Sequence, residues 1–289
     1  MLHRRIRRLE AHYPAGALAH TQLMGPEERN TYRSGEQPTS VVRRVSALLG
    51  AFEVGDTHLG VNELSRRTGI PKASVSRLVQ EMEAIGFLER SGTKVSLGLR
   101  LFELGEWASR GRSVREVALP FMADLREATR QTIHLAVLDG TEVVYVEILR
   151  ARAAPRFPSA VGRRLPAHAT GVGKALLAGS SNDVIEAVVA SGLRRIGPRT
   201  IIAPGSLLNQ LKRISMTGLA YEHEESAAGV ACVASAIRVG NGPPVAAVSA
   251  SGWIGKVDIR RVGPAVHTTA LSIARVLAAD AGQTPFGSY

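Results

Sequence analysis

The stretch LGVNELSRRTGIPKASVSRLVQEMEAIGFLER, Leu59 to Arg90, decides the fold of the N-terminal part of the chain. Val61 and Leu64 lie three apart on one short helix, Gly69 supplies the left-handed backbone of a tight turn, and Pro71 suits the opening of a second helix. On that second helix Val75, Leu78, Val79, Met82 and Ile85 recur at spacings of three and four. This stripe is expected to be buried, turning Lys72, Ser74, Ser76 and Arg77 outward. The pattern is a helix-turn-helix. Between Leu64 and Gln80 the chain carries Arg66, Arg67, Lys72 and Arg77 and no acid, as a face pressed on phosphates and base edges requires. On these residues alone a solvated surface helix explains the pattern equally well.

The flanking sequence tips the balance. Gly86 can cap the helix, Phe87 to Arg90 can form a strand, Ser91-Gly92-Thr93 can turn, and Lys94 to Leu97 can return as partner. A hairpin directly after a recognition helix is a wing. Upstream, Val42, Val45, Leu48, Leu49 and Phe52 mark another helix, with Thr39 or Ser40 as its cap. Together they predict a winged helix-turn-helix domain over residues 39–96, with Arg66, Lys72, Ser74, Ser76, Arg77, Thr93 and Lys94 as candidate DNA contacts.

With 289 residues and 45% hydrophobic content, the chain has room for two ordinary cores. The single cysteine, Cys232, excludes an internal disulfide framework, and no apolar run resembles a membrane span or secretory signal; a cytoplasmic location is expected. The net charge of +11 is spread along the chain, so it is the local run on one helix, not the total, that points to nucleic acid.

Residues 1–38 mix arginines with glycines and prolines without periodicity and are expected to be a disordered basic tail. Residues 97–112 are expected to be a linker helix whose Leu101, Leu104 and Trp107 need a partner. Residues 113–281 should form a second domain, and residues 282–289 a flexible tail. In that domain Pro120 opens a helix to about Arg130, and Thr132–Leu138 and Glu142–Leu149 are strands flanking the hairpin signal Asp139-Gly140. Arg150 to Pro166 is expected as loop, Thr170–Ala178, Asn182–Ala190 and Pro204–Ser215 as helices, Val230–Val239 and Val245–Ser251 as strands, and Asp258–Ala279 as a closing helix. The fold class is α+β, with helices on one face of a mostly antiparallel sheet.

Four ordered motifs then carry a resemblance. VSLGLRLFELG follows the wing, VGRRLPAHATGVGKALLA spans Val161 to Ala178, GLAYEHEESAAGVACVASAI spans Gly218 to Ile237, and VAAVSASG ends at Gly252. In this order the chain resembles the IclR family of bacterial transcription regulators from Thr39 to Ala279. The resemblance implies a GAF-like effector-binding domain after the winged domain, a double-stranded DNA operator, a small-molecule effector and a homodimer or homotetramer. It also places an effector pocket at Gly171, Val172, Glu222, Cys232, Ser249 and Ser251. The residue chemistry agrees: Gly171 and Val172 open a helix whose free N–H groups favour a carboxylate, and Ser249 and Ser251, two apart on a strand, share one face. Glu222 stands where aspartate is frequent in the family, which favours a hydroxylated or keto acid as effector.

An enzyme is the rival class. GVGKA lacks the first glycine and the hydroxyl of a phosphate-binding loop, because His168 and Ala175 occupy those positions. Cys232 with His168 or His223 could form a nucleophile and base, but a buried pocket thiol is the simpler reading. His134, His168, His223, Glu224 and Glu225 show no metal-ligand spacing, and His223-Glu224-Glu225 is expected as a solvated loop. No catalytic residue, metal, cofactor or membrane contact is expected.

Overall fold

The computed structural model describes residues 40–53, 55–107, 112–152, 157 and 159–283; the expected tail over residues 1–38 lies outside them. The chain divides into two compact units at Ala108–Ser109. In the first, helix α1 (Val41–Gly50) is capped by Ser40, whose hydroxyl accepts the Arg43 N–H at 3.2 Å. Helix α2 (Val61–Thr68) ends on Gly69 at φ +70°, the left-handed turn expected, and α3 (Lys72–Ala84) follows directly after Pro71. Leu48, Leu64, Val75, Val79 and Met82 close the core under these helices. Ile85 departs from the expected stripe and is 58% exposed, because α3 ends one residue before it.

The wing pairs β2 (Leu88–Ser91) with β3 (Lys94–Leu97), Ser91 opposite Lys94, and a strand the sequence did not signal, β1 (Leu59–Gly60), adds to the other side of β3. Two residues are too few to show alternation. Helix α4 (Leu99–Trp107) follows, with Leu99, Phe102 and Trp107 each more than 60% exposed and the Arg100 guanidinium 5.3 Å from the Trp107 ring centroid.

The second unit is built on a six-stranded antiparallel sheet. Its strands are β4 (Thr132–Asp139), β5 (Glu142–Leu149), β6 (Arg164–Pro166), β7 (Ala220–His223), β8 (Val230–Ile237) and β9 (Ala246–Trp253), in spatial order β6-β5-β4-β9-β8-β7. The sequence did not signal β6 or β7, which are short edge strands. Helices cover both faces, where one covered face was expected. On one side lie α5 (Arg112–Thr129) and α9 (Ile259–Gln283); on the other lie α6 (Gly171–Leu177), α7 (Asn182–Ala190) and α8 (Pro204–Thr217). The reason is visible along β8 and β9, which are nearly continuous apolar or small runs, the signature of strands buried on both faces. Successive residues of β8 thus serve different cores: Ala231 and Val233 pack under α5 and α9, Cys232 and Ala234 under α6 to α8.

Pro120 does not open α5 but lies inside it. The stripe Val114, Ala118, Met122 and Leu125 holds the helix on the sheet through the proline, so packing outweighs the lost hydrogen bond. The closing helix buries one stripe against the sheet. Its segment Ile259–Asp280 reaches a mean hydropathy of 1.2, long and apolar enough for a bilayer, yet Val266, Ala270 and Ile273 are buried against the sheet.

Because Pro120 is internal to α5, Pro120→Ala supplies the missing N–H donor and is expected to raise stability by about 1–3 kcal/mol in urea unfolding. A helix beginning at Pro120 would instead make the substitution neutral or unfavourable.

Candidate effector cavity and DNA-contact helix

On α3, Lys72 and Arg77 are exposed and Ser74 and Ser76 half-buried beside the stripe Val75, Leu78 and Val79; Thr93 and Lys94 are exposed at the wing tip. Arg77 leans toward Glu81, 3.6 Å away and 61% exposed, a weak surface contact that a phosphate can displace. The other two arginines divide. Arg66 is exposed but held by both carboxylate oxygens of Glu63, at 2.9 and 2.5 Å. Arg67 turns inward, bonding Glu63, Asp56 and the Ala51 carbonyl, and so ties α2 to the segment after α1. The acid-free run therefore presents fewer free cations than its composition suggests, since Glu63 stands just before it.

In the second unit a small cavity, partly open to solvent, lies on the α6 side of the sheet. All six positions carried over from the family resemblance line it: Gly171, Val172, Glu222, Cys232, Ser249 and Ser251. Sheet register explains their convergence. Glu222 stands opposite Cys232 and Cys232 opposite Ser251, forming one cross-strand row; Ala234, Ser249 and His134 form the next. Above them Thr170 caps α6, its hydroxyl accepting the Gly173 N–H at 3.0 Å. The N–H groups of Gly171 and Val172 have no acceptor within their own helix. Gly171 must be glycine here, because a Cβ would stand 2.8 Å from Cys232 Sγ.

Eight further residues line the cavity, among them His134, Tyr145, Phe157 and Ser159, which were not singled out as effector contacts. His134 Nε2 and Ser159 Oγ are 2.9 Å apart, Ser251 Oγ is 3.4 Å from Nδ1, and the imidazole packs against Tyr145 and edge-on to Phe157. Burial pushes His134 down to about 3, with Arg150 adding to the effect, so it is a neutral ring. A single imidazole in the otherwise apolar strand TIHLAVLD was the signal that could have found it.

Glu222 is buried, and its Oε1 accepts the N–H groups of Glu225 and Ser226, at 2.8 and 3.0 Å, and the Ser226 hydroxyl at 3.3 Å. Desolvation outweighs these donors and pushes the carboxyl up to about 7. Burial pushes the Cys232 thiol up to about 12, which leaves it protonated and poorly nucleophilic at neutral pH. The segment His223-Glu224-Glu225 is not a solvated loop as a whole. His223 is exposed, but Glu225 is buried and pairs at 2.6 Å with Lys174 of α6, itself fully buried and also donating to the Tyr221 carbonyl at 2.9 Å. Burial shifts the Glu225 carboxyl upward and the Lys174 charge opposes this. His168 Nε2 lies 3.0 Å from the Arg194 carbonyl oxygen, away from His134, and among the described residues no three His, Cys, Asp or Glu side chains gather as metal ligands.

Residues 41–92 match the IclR helix-turn-helix domain, and residues 108–275 match the bacterial transcriptional regulator IclR C-terminal domain. The chain belongs to the IclR family. It is 33% identical over 221 residues to the transcriptional regulator KdgR of Escherichia coli, covering 75% of this chain and 84% of KdgR. With the transcriptional repressor AllR of Salmonella typhi it shares 31% identity over 263 residues, 87% of this chain and 97% of AllR. An IclR homologue from Microbacterium hydrocarbonoxydans, crystallised with 4-hydroxybenzoate, superposes with a TM-score of 0.77 at 32% identity, over 83% of this chain and all of that one. The Thermotoga maritima IclR structure gives 0.69 at 26% identity, over 82% and 98%. The chain is thus an IclR-family transcription regulator with a helix-turn-helix DNA-binding domain, and these relatives are regulators, not enzymes.

Two substitutions test the packing around the cavity. Gly171→Ala should destabilise the second unit by roughly 1–3 kcal/mol through overlap with Cys232, and adding Cys232→Ala should recover most of that loss in a double-mutant cycle. Lys174→Ala leaves Glu225 buried without its cation and should cost about 3–5 kcal/mol in chemical unfolding.

Proposed function

We propose that this IclR-family regulator is a ligand-responsive, sequence-specific DNA-binding protein whose effector is a small organic acid. Residues 39–96 form the operator-reading domain, residues 97–112, which include α4, the linker, and residues 113–281 the effector-binding domain. The observation that carries the effector reading is the convergence of the α6 N-terminal amides, two strand hydroxyls and a buried carboxyl on one cavity. The 4-hydroxybenzoate bound to the Microbacterium homologue supports the chemical class. The acid's carboxylate would take hydrogen bonds at Gly171 and Val172, with Ser249 and Ser251 donating, Cys232 lining the wall and Glu222 contacting a second group.

DNA contact is assigned to Arg66, Lys72, Ser74, Ser76 and Arg77, with Thr93 and Lys94 of the wing beside them. A site read by two recognition helices in successive major grooves, roughly 34 Å apart, requires at least a dimer. The exposed Leu99, Phe102, Leu104 and Trp107 of α4 supply apolar surface for that association. A protein acting on chromosomal DNA in a bacterium is placed in the cytoplasm.

Operator titrations separate the two assignments. Lys72→Ala with Arg77→Ala should abolish specific binding, and Arg77→Ala alone should cost about 1–3 kcal/mol if it reads a guanine. Intact binding in the double variant would overturn the DNA assignment. Ser249→Ala and Ser251→Ala should each raise the effector midpoint about tenfold, the loss of one hydrogen bond to a charged group, while ligand-free operator affinity stays unchanged. An unaltered midpoint would show that the serines only support the wall.

A further inference from the structure

The charge inventory of the cavity bears on how an acid can be accommodated there. Among the described residues that line it there is neither lysine nor arginine, and Glu222 is the only acid. Two cations lie behind the wall and both have partners: Lys174 donates to the Tyr221 carbonyl and Glu225, and Arg150 donates to the Ser159 carbonyl at 3.3 Å. An anionic effector beside an ionised Glu222 would place two negative charges together at a site that no described lysine or arginine lines, which partial burial makes costlier than in water. The α6 amides and the two serine hydroxyls are neutral dipoles and offset only part of that repulsion.

We propose that Glu222 enters the effector complex as the neutral carboxylic acid, so that binding of one carboxylate takes up one proton from solvent and the Glu222 O–H donates to an oxygen of the effector. This rests on the reading of the cavity as an acid-binding site. The geometry suits the role. Glu222 Oε1 is already engaged by the donors of Glu225 and Ser226, which leaves Oε2 as the oxygen to carry the proton. Its Cβ lies 3.6 Å from where a Gly171 Cβ would be, and both residues line the same cavity.

The groups facing Glu222 do not compete for that proton near neutrality. Tyr145 of β5 and Cys232 of β8 are held protonated by burial, and His134 of β4 is held neutral. Lys174 of α6 is engaged with Glu225, and His223, the next residue on β7, turns to solvent. Glu225 raises the Glu222 carboxyl further, while Lys174 lowers it. With the free carboxyl titrating at about 7, affinity is full below that pH, where the proton is already present, and declines above it, where it must be taken up.

The test is titration calorimetry of the full chain with benzoate and 4-hydroxybenzoate from about pH 6 to pH 8, in buffers of different ionisation enthalpy. At the upper end close to one proton should be taken up per site. The Kd should be flat at the lower end and approach a tenfold rise per pH unit at the upper. Glu222→Gln, which keeps an N–H donor and the Oε1 acceptor, should bind with a pH-independent Kd and no proton uptake. Buffer-independent heats with a flat Kd in the unmodified chain, or pH dependence that survives Glu222→Gln, would overturn the inference while leaving the acid-binding cavity standing. Failure of both acids to bind at any pH would overturn the acid-binding reading, and this inference with it. The buffer comparison on the unmodified chain needs no variant to fold.

Discussion

The second unit depends on a cation with no access to water. Lys174 projects from the middle of α6 to the edge of the sheet, where its ammonium meets the Tyr221 carbonyl and the Glu225 carboxylate. Two acceptors offset part of the desolvation cost, while Glu225 Oε2 has no hydrogen-bond partner among the described residues. What the pair achieves is placement. The same few residues carry Glu222 into the cavity and, through the Glu225 carbonyl, receive the Thr200 hydroxyl and the Gly197 N–H, at 2.6 and 2.9 Å. One buried charge pair thereby joins the short helix, the edge strand and the loop at residues 196–200.

That pair also explains why the site was only partly legible in the sequence. Gly171, Val172, Glu222, Cys232, Ser249 and Ser251 came from ordered motifs, and sheet register brings them to one cavity. Lys174 and Glu225 lie 51 residues apart. Lys174 sits among apolar neighbours in GVGKALLA and Glu225 in a polar stretch, and in either setting a charge reads as solvated until a partner from another element is known. His134 and Tyr145 were hidden differently: on strands, the face that a polar or aromatic residue occupies follows from neighbours that only pairing reveals.

The fold shows the same division. Long periodic helices, the Asp139-Gly140 hairpin and the Gly69 turn were readable because their signals are local. The strands β1, β6 and β7, of two to four residues, carry no period of their own and exist because a longer neighbour offers a free edge. Pro120 misled in the opposite sense, since a local stop signal gave way to a stripe packed along the whole helix. Arg67 belongs with these cases: its charge suggested DNA, and its contacts with Asp56 and Ala51 make it a strut.

The two-sided sheet has a consequence for how such a sensor can diversify. Along β9, Ser249 and Ser251 face the cavity while Val248 and Ala250 face the core beneath α5 and α9. Adjacent codons therefore answer to separate structural demands, one for the lining of the cavity and the other for the folded core. A lineage can exchange the chemistry of the odd-numbered positions, and with it the cavity wall, while the even-numbered positions preserve the scaffold.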